Sequence, residues 1–302
     1  MDADTRQLLT SSLRSLFAEG GDIASGLDAL GWGDVLEDDE ATATALLFQE
    51  QGQALARSNA LDSVISGALD LPPLPVLHPT PGDALAPLQG ERVVGVLLNR
   101  APTGPFLAIG RSTALLVADV KDLEVGIITG FDPTAGLSHV AGPAHGEQLS
   151  SGPWETAVTA ARRSLASELI GLGRGSLTLA VEQLTVRHQF GRPLGSNQSP
   201  RHRLAEAHVG LAAAENLVTE AWRKGDTWSA MAAKAQAGQA AETAARAAMQ
   251  VCGAMGLTHE HQLGGFVRRT FALDGLYCGW RELSRQLGKH LVDEATTMSE
   301  AS

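Results

Sequence analysis

The 302-residue sequence predicts a mostly helical fold with a small β-rich segment in its middle. Three observations predict it. Leucines recur at helical spacing before residue 70, short β-branched runs fill residues 91–142, and 3.6-residue apolar periodicity dominates from Pro153 onward. The expected order is an N-terminal helical domain (1–72), a reduced β-rich middle domain (73–150) and a C-terminal four-helix bundle (151–302).

In the first stretch, Leu8, Leu9, Leu13 and Leu16 share helical spacing, and Ala43, Leu46, Leu47, Ala54 and Leu55 repeat the rhythm. Five prolines between Leu71 and Gly82 exclude a continuing helix. Beyond them, the runs beginning at Arg92, Ala114 and Leu123 are separated by Gly, Pro, Asn and Asp, and read as strands of a small antiparallel sheet or barrel. Val158, Ala161, Leu165, Leu169 and Leu172 then mark one face of a long helix running toward Val186. Leu204–Arg223, Trp228–Met249 and Arg268–Val292 read as three more, and short connections between long helices predict an antiparallel bundle.

Composition narrows the function classes. A net charge of −11 lacks the basic surface that nucleic-acid binding needs. No run of about 18 apolar residues predicts a membrane span, and the start of the chain does not read as a secretory signal, so the cytoplasm is the expected location. Cys252 and Cys278 form neither a disulfide framework nor a zinc set and read as small core residues. His259, Glu260 and His261 lack a distant third ligand, so no metal site is expected.

The most informative residues close one helical stretch and open the next: Arg187-His-Gln-Phe-Gly, followed by Gln198 and Leu204-Ala-Glu. An arginine at a helix end before a Phe-Gly turn can present a planar fork to a diphosphate. A second run, Gln250-Val-Cys-Gly-Ala-Met-Gly, lets backbone approach a ligand at Gly253 and Gly256. Both runs resemble signatures of the acyl-CoA dehydrogenase family, and the helix–strand–helix order resembles that family's layout over nearly the whole chain. The resemblance implies FAD shared across a subunit interface, with Arg187 on its pyrophosphate, Phe190 and Gln189 beside the nucleotide, Gln198 near the adenosine half, and Gln250 and Gly253 against the ADP part. Ala254 departs from the family's second glycine.

The family's catalytic glutamate has no counterpart. Its usual place, opening the last long helix, carries Tyr277 or Cys278, and its other known place, on the first helix of the bundle before an arginine, carries Ala161. Asp274 is the weak rescue candidate; Glu168 and Glu282 are the other acids nearby. The middle segment also lacks the family's flavin- and acyl-CoA-holding runs, apart from a closing turn at Asp132-Pro-Thr.

What the resemblance implies is one subunit of a heteromeric acyl-CoA dehydrogenase, similar to the shorter members of unequal pairs in steroid-degrading bacteria. Its partners would be a second, fuller acyl-CoA dehydrogenase subunit, an acyl-CoA substrate and an electron acceptor such as an electron-transfer flavoprotein. Two alternatives stay open: a self-sufficient dehydrogenase or oxidase with a relocated base, and a flavin-free interaction subunit.

Overall fold

The computed structural model describes residues 1–98, 104–130, 132–189, 191–258 and 261–300. Four helices come first: α1 (Ala3–Glu19), α2 (Ile23–Ala29), α3 (Trp32–Gln53) and α4 (Ala60–Ala68). Asp2 and Asp22 cap α1 and α2 by accepting from the backbone N–H groups of Thr5 and Ala24. Leu9, Leu13 and Phe17 give α1 its buried stripe, while Leu8 points outward, 69% exposed.

Eight strands follow among the described residues: β1 (Val76–Leu77), β2 (Leu88–Gln89), β3 (Arg92–Leu97), β4 (Phe106–Ile109), β5 (Thr113–Val117), β6 (Glu124–Ile127), β7 (Ser138–Pro143) and β8 (Glu147–Ser150). They form two four-stranded sheets, ordered β1-β4-β5-β8 and β2-β3-β7-β6. All neighbours are antiparallel except β1 and β4. Leu77, Val93, Phe106, Ala108, Val117 and Val140 pack into one buried cluster drawn from both sheets. His78, just past β1, exchanges two backbone hydrogen bonds with Val96 (2.8 and 2.9 Å), which fixes where its ring projects. Gly95 permits that approach, because a Cβ there would collide with the His78 carbonyl.

The helical part comprises α5 (Trp154–Val186), the hairpin β9 (His188–Gln189) and β10 (Arg192–Pro193), α6 (Gln198–Lys224), α7 (Thr227–Cys252), α8 (Leu263–Gly275) and α9 (Trp280–Glu300). α5 is the central rod: nearly every side chain from Ala157 to Gly175 is buried, against α3 on one side and α6, α7 and α8 on the others. α3 and α5 touch backbone to backbone, since a Cβ on Gly52 would meet the Glu168 carbonyl and one on Gly171 the Gln49 carbonyl. Alanine fills the face that α7 turns inward, letting it approach α5 closely.

The stretch Arg268–Val292 reads as one helix in sequence; it is two. Leu276–Gly279 separates α8 from α9, with Tyr277 and Cys278 both left-handed (φ 55° and 79°). Asp274 enforces the break by accepting from the Trp280 N–H (3.2 and 3.3 Å), which caps the new helix.

Arg269 on α8 joins three parts of the chain. Its guanidinium pairs with Asp132 (2.9 Å) and donates to the carbonyls of Ala56 (3.3 Å) and Thr134 (2.9 Å). The turn after β6 is thereby fastened to the end of α3 and to the bundle.

Candidate functional site

The residues singled out by sequence fall into two groups at opposite ends of α5. At the C-terminal end, Arg187 caps the helix: its N–H donates to the Gln183 carbonyl (3.0 Å) and its carbonyl accepts from Leu194 (2.9 Å). The chain then reverses through the hairpin in which Gln189 pairs with Arg192, with Gly191 left-handed (φ 77°) in the turn. A bulky residue would be strained at Gly191. Phe190 lies outside the described residues, as do His259 and Glu260. Gln198 is exposed at the first position of α6.

Gln250 is exposed on the last turn of α7, which Gly253 ends at φ 61° while donating its N–H to the Met249 carbonyl. The 3-10 turn Gly253–Leu257 leans on α5, where the Gln183 amide reaches the Met255 sulfur (3.9 Å). One end of the bundle thus gathers the Arg187 hairpin and the Gln250 turn. The side chains of Arg187, Gln189, Gln198 and Gln250 have no hydrogen-bond or ion-pair partner among the described residues. These unspent donors, with open space where a Cβ on Gly253 would lie, suit an anionic nucleotide laid across the surface. FAD fits such a donor set.

The other group is buried. Ala161 and Tyr277 are fully inaccessible members of one apolar cluster, and Cys278 is 3% exposed. The Tyr277 hydroxyl meets His78 Nδ1 (3.0 Å), and His78 Nε2 meets Asp62 Oδ1 (2.8 Å). Burial drives the Tyr277 phenol well above its ordinary range, with the Asp62 charge adding to it. Cys278 is also pushed up by burial, against the pull of Arg162.

Lys234, wholly buried in α7, donates to the carbonyls of Asp274 (2.8 Å) and Cys278 (2.9 Å), and burial lowers it to about 8. Asp274 sits 3.9 Å from that ammonium, its carboxyl raised by burial and held back by Lys234. Its oxygens serve as the α9 cap. Glu282 pairs with Arg285 at the surface. Glu168 is buried on α5, and desolvation lifts its carboxyl to about 7 against a hydrogen bond from Gln51 and the Arg269 charge.

Sequence reading missed Asp62, His78, Lys234 and the clasp by Arg269. Lys234 carried a signal, a lone charge on the buried face of an alanine-rich helix. His78 carried none, because it sits inside a proline-rich run that reads as loop.

Comparison with known proteins gives the chain's family and fold. Residues 154–286 match the family model for the acyl-CoA dehydrogenase C-terminal domain. The chain is similar to acyl-CoA dehydrogenase IpdE2 of Mycobacterium tuberculosis, 30% identical over 256 residues that cover 82% of this chain and 77% of the relative. Among solved structures, a Tcur3481-Tcur3483 steroid ACAD variant superposes with a TM-score of 0.78 at 19% identity, covering 97% of this chain and 99% of that one. The ChsE4-ChsE5 complex from Mycobacterium tuberculosis gives 0.72 at 19% identity, covering 97% and 98%. With a matched bundle, a relative aligned along most of both lengths and the same helix–sheet–helix order, the chain belongs to the acyl-CoA dehydrogenase family.

Proposed function

We propose that this chain is the non-catalytic subunit of a heteromeric, FAD-dependent acyl-CoA dehydrogenase that desaturates a steroid-derived acyl-CoA at its α,β bond in the cytoplasm. Its units are 1–72, 73–150 and 151–302. It donates Arg187, Gln189, Phe190, Gln198, Gln250 and Gly253 to an FAD whose ring, substrate and catalytic base belong to a fuller partner subunit. An electron-transfer flavoprotein is the expected acceptor.

One observation carries this reading. Arg187 and Ala161 are 26 residues apart on one helix, about 39 Å at 1.5 Å per residue. The arm from a dinucleotide's pyrophosphate to its flavin ring is far shorter. A pyrophosphate held by Arg187 therefore places its flavin ring against a different active site from the one Ala161 and Tyr277 would line. That length supports a flavin shared across an interface.

The bound flavin supplies the acceptor for the β-hydrogen of the acyl thioester. This chain's own part is positional: the Arg187 fork holds the diphosphate charge, and the amides of Gln189, Gln198 and Gln250 fix the adenosine side. Asp274 is occupied as a helix cap, which favours the donor role over a relocated base. The names of the relatives, which include a steroid ACAD and a two-component complex, support the substrate class and the heteromer.

Co-expression with an adjacently encoded acyl-CoA dehydrogenase tests the proposal. The expected product is a yellow heteromer that loses its flavin when Arg187→Ala is introduced here, while the lone chain is colourless. A yellow homo-oligomer of this chain alone, or full flavin retention by the Arg187→Ala complex, refutes it.

A further inference from the structure

Tyr277 is the only tyrosine in the chain, and the resemblance puts it, or Cys278 beside it, at one of the family's two base positions. It faces the same apolar cluster as Ala161, the residue at the other. If this interior were an acyl slot, those two positions would border it. The Tyr277 ring itself lies fully buried in that cluster. Trp154 stacks on the ring (centroids 5.9 Å apart, planes 26° apart), and the Trp154 indole N–H is itself fixed to the Ala84 carbonyl (2.8 Å). The ring of His78 meets Tyr277 edge-on.

The polar atoms of this unit are paired. The hydroxyl reaches Asp62 through His78, the Tyr277 carbonyl accepts from Arg162 Nε (3.3 Å), and the next carbonyl, of Cys278, accepts from Lys234. A buried hydroxyl and carbonyls so paired resist movement, whereas a swinging lid would leave some of these groups unpaired in one position. Two successive non-glycine residues in the left-handed region are costly and persist only where the surroundings over-determine them. Here α4, the β1 edge, α5 and α7 all contribute fixed contacts.

We propose that Tyr277 is a built-in plug: anchored through His78 to Asp62 and stacked on Trp154, it fills this chain's own acyl slot, so the subunit accepts no acyl thioester in its interior. The inference rests on the donor-subunit reading and deepens it, by stating why a heteromer of this chain carries substrate in the partner alone. Loss of a carboxylate would only silence a site; the plug removes the space.

The lone tyrosine makes the test direct. Treat the native lone chain with tetranitromethane and follow the mass of the Tyr277 peptide. The expected result is nitration at least about 100-fold slower than in the urea-unfolded chain, unaffected by octanoyl-CoA. In a second arm, Tyr277→Ala opens a ring-sized slot, so p-cresol raises the melting temperature of the variant and leaves the wild type unchanged. Nitration of the native chain at the unfolded rate overturns the plug. So does protection of Tyr277 by octanoyl-CoA, or saturable octanoyl-CoA binding to the wild-type chain. If Tyr277→Ala does not fold, the nitration arm decides alone. The donor reading fails separately, through the flavin content of the Arg187→Ala complex, which none of these measurements touches.

Discussion

Glu168→Gln keeps the shape of a buried side chain and removes its ability to ionise. Glu168 is 4% exposed on α5, and desolvation lifts its carboxyl from 4.5 to about 7 despite the Gln51 hydrogen bond and the Arg269 charge. A carboxyl raised on folding contributes stability that is fully present below its unfolded value, near 4.5, and lost as pH rises through 7. The shift corresponds to roughly 3 kcal/mol at 1.36 kcal/mol per unit. At pH 5, just above the unfolded value, only about 1 kcal/mol of this has gone, and the wild type and the variant should melt within about 2 °C of each other. By pH 8.5 the wild type has lost that amount, and the variant should melt about 5 °C higher for a chain of this length. Thermal melts followed by circular dichroism from pH 5 to 8.5 read the difference directly. Parallel wild-type and variant curves across that range would refute the assignment of a buried, neutral acid at Glu168.

Other expectations follow from the same packing. Arg269→Ala leaves Asp132 buried without its partner and should cost about 3–5 kcal/mol in urea unfolding. The Asp132 carboxyl is held below its ordinary value by Thr134 and Arg269 against the opposing pull of burial. Its share of stability is present above the unfolded value and lost as pH falls through the folded one, so Asp132→Asn should flatten the acid limb of the stability profile. Gly171→Ala drives a methyl into the Gln49 carbonyl at the α3–α5 crossing and should cost about 1–3 kcal/mol in the same assay. Arg187→Ala, at a half-exposed position with no protein partner among the described residues, should leave the lone chain's stability within about 0.5 kcal/mol while emptying the heteromer of flavin.

The order of helices and strands was legible because each part announces itself locally. Leucine spacing marks α1, β-branched runs mark β3, β5 and β6, and the proline cluster after Leu71 marks the change between them. The residues proposed to face the cofactor stand out for the same reason: Arg187, Gln189 and Gln198 lie within a dozen residues, in one recognisable run. The strands β1, β2, β4, β7 and β8 were not read, being short or nearly free of alternation; β4 is buried throughout. The break at Leu276–Gly279 was hidden because Tyr277 and Cys278 carry no intrinsic preference for left-handed backbone. They adopt it under the hold of Lys234 and Arg162, which come from distant helices. In the Asp62–His78–Tyr277 chain, His78 meets a residue 199 positions away, and no local pattern encodes such a meeting.

The length of α5 has an evolutionary consequence. Substitutions more than about 10 Å apart without shared partners act almost independently on stability. The rod places its buried end and its surface end far outside that range. An ancestral chain could therefore exchange a reactive carboxylate for packed side chains at one end with no thermodynamic penalty at the other. On the proposed division of labour, selection could turn a symmetric pair of equal enzymes into a chemist and a holder by altering a single pole of one helix, leaving the other pole as it was.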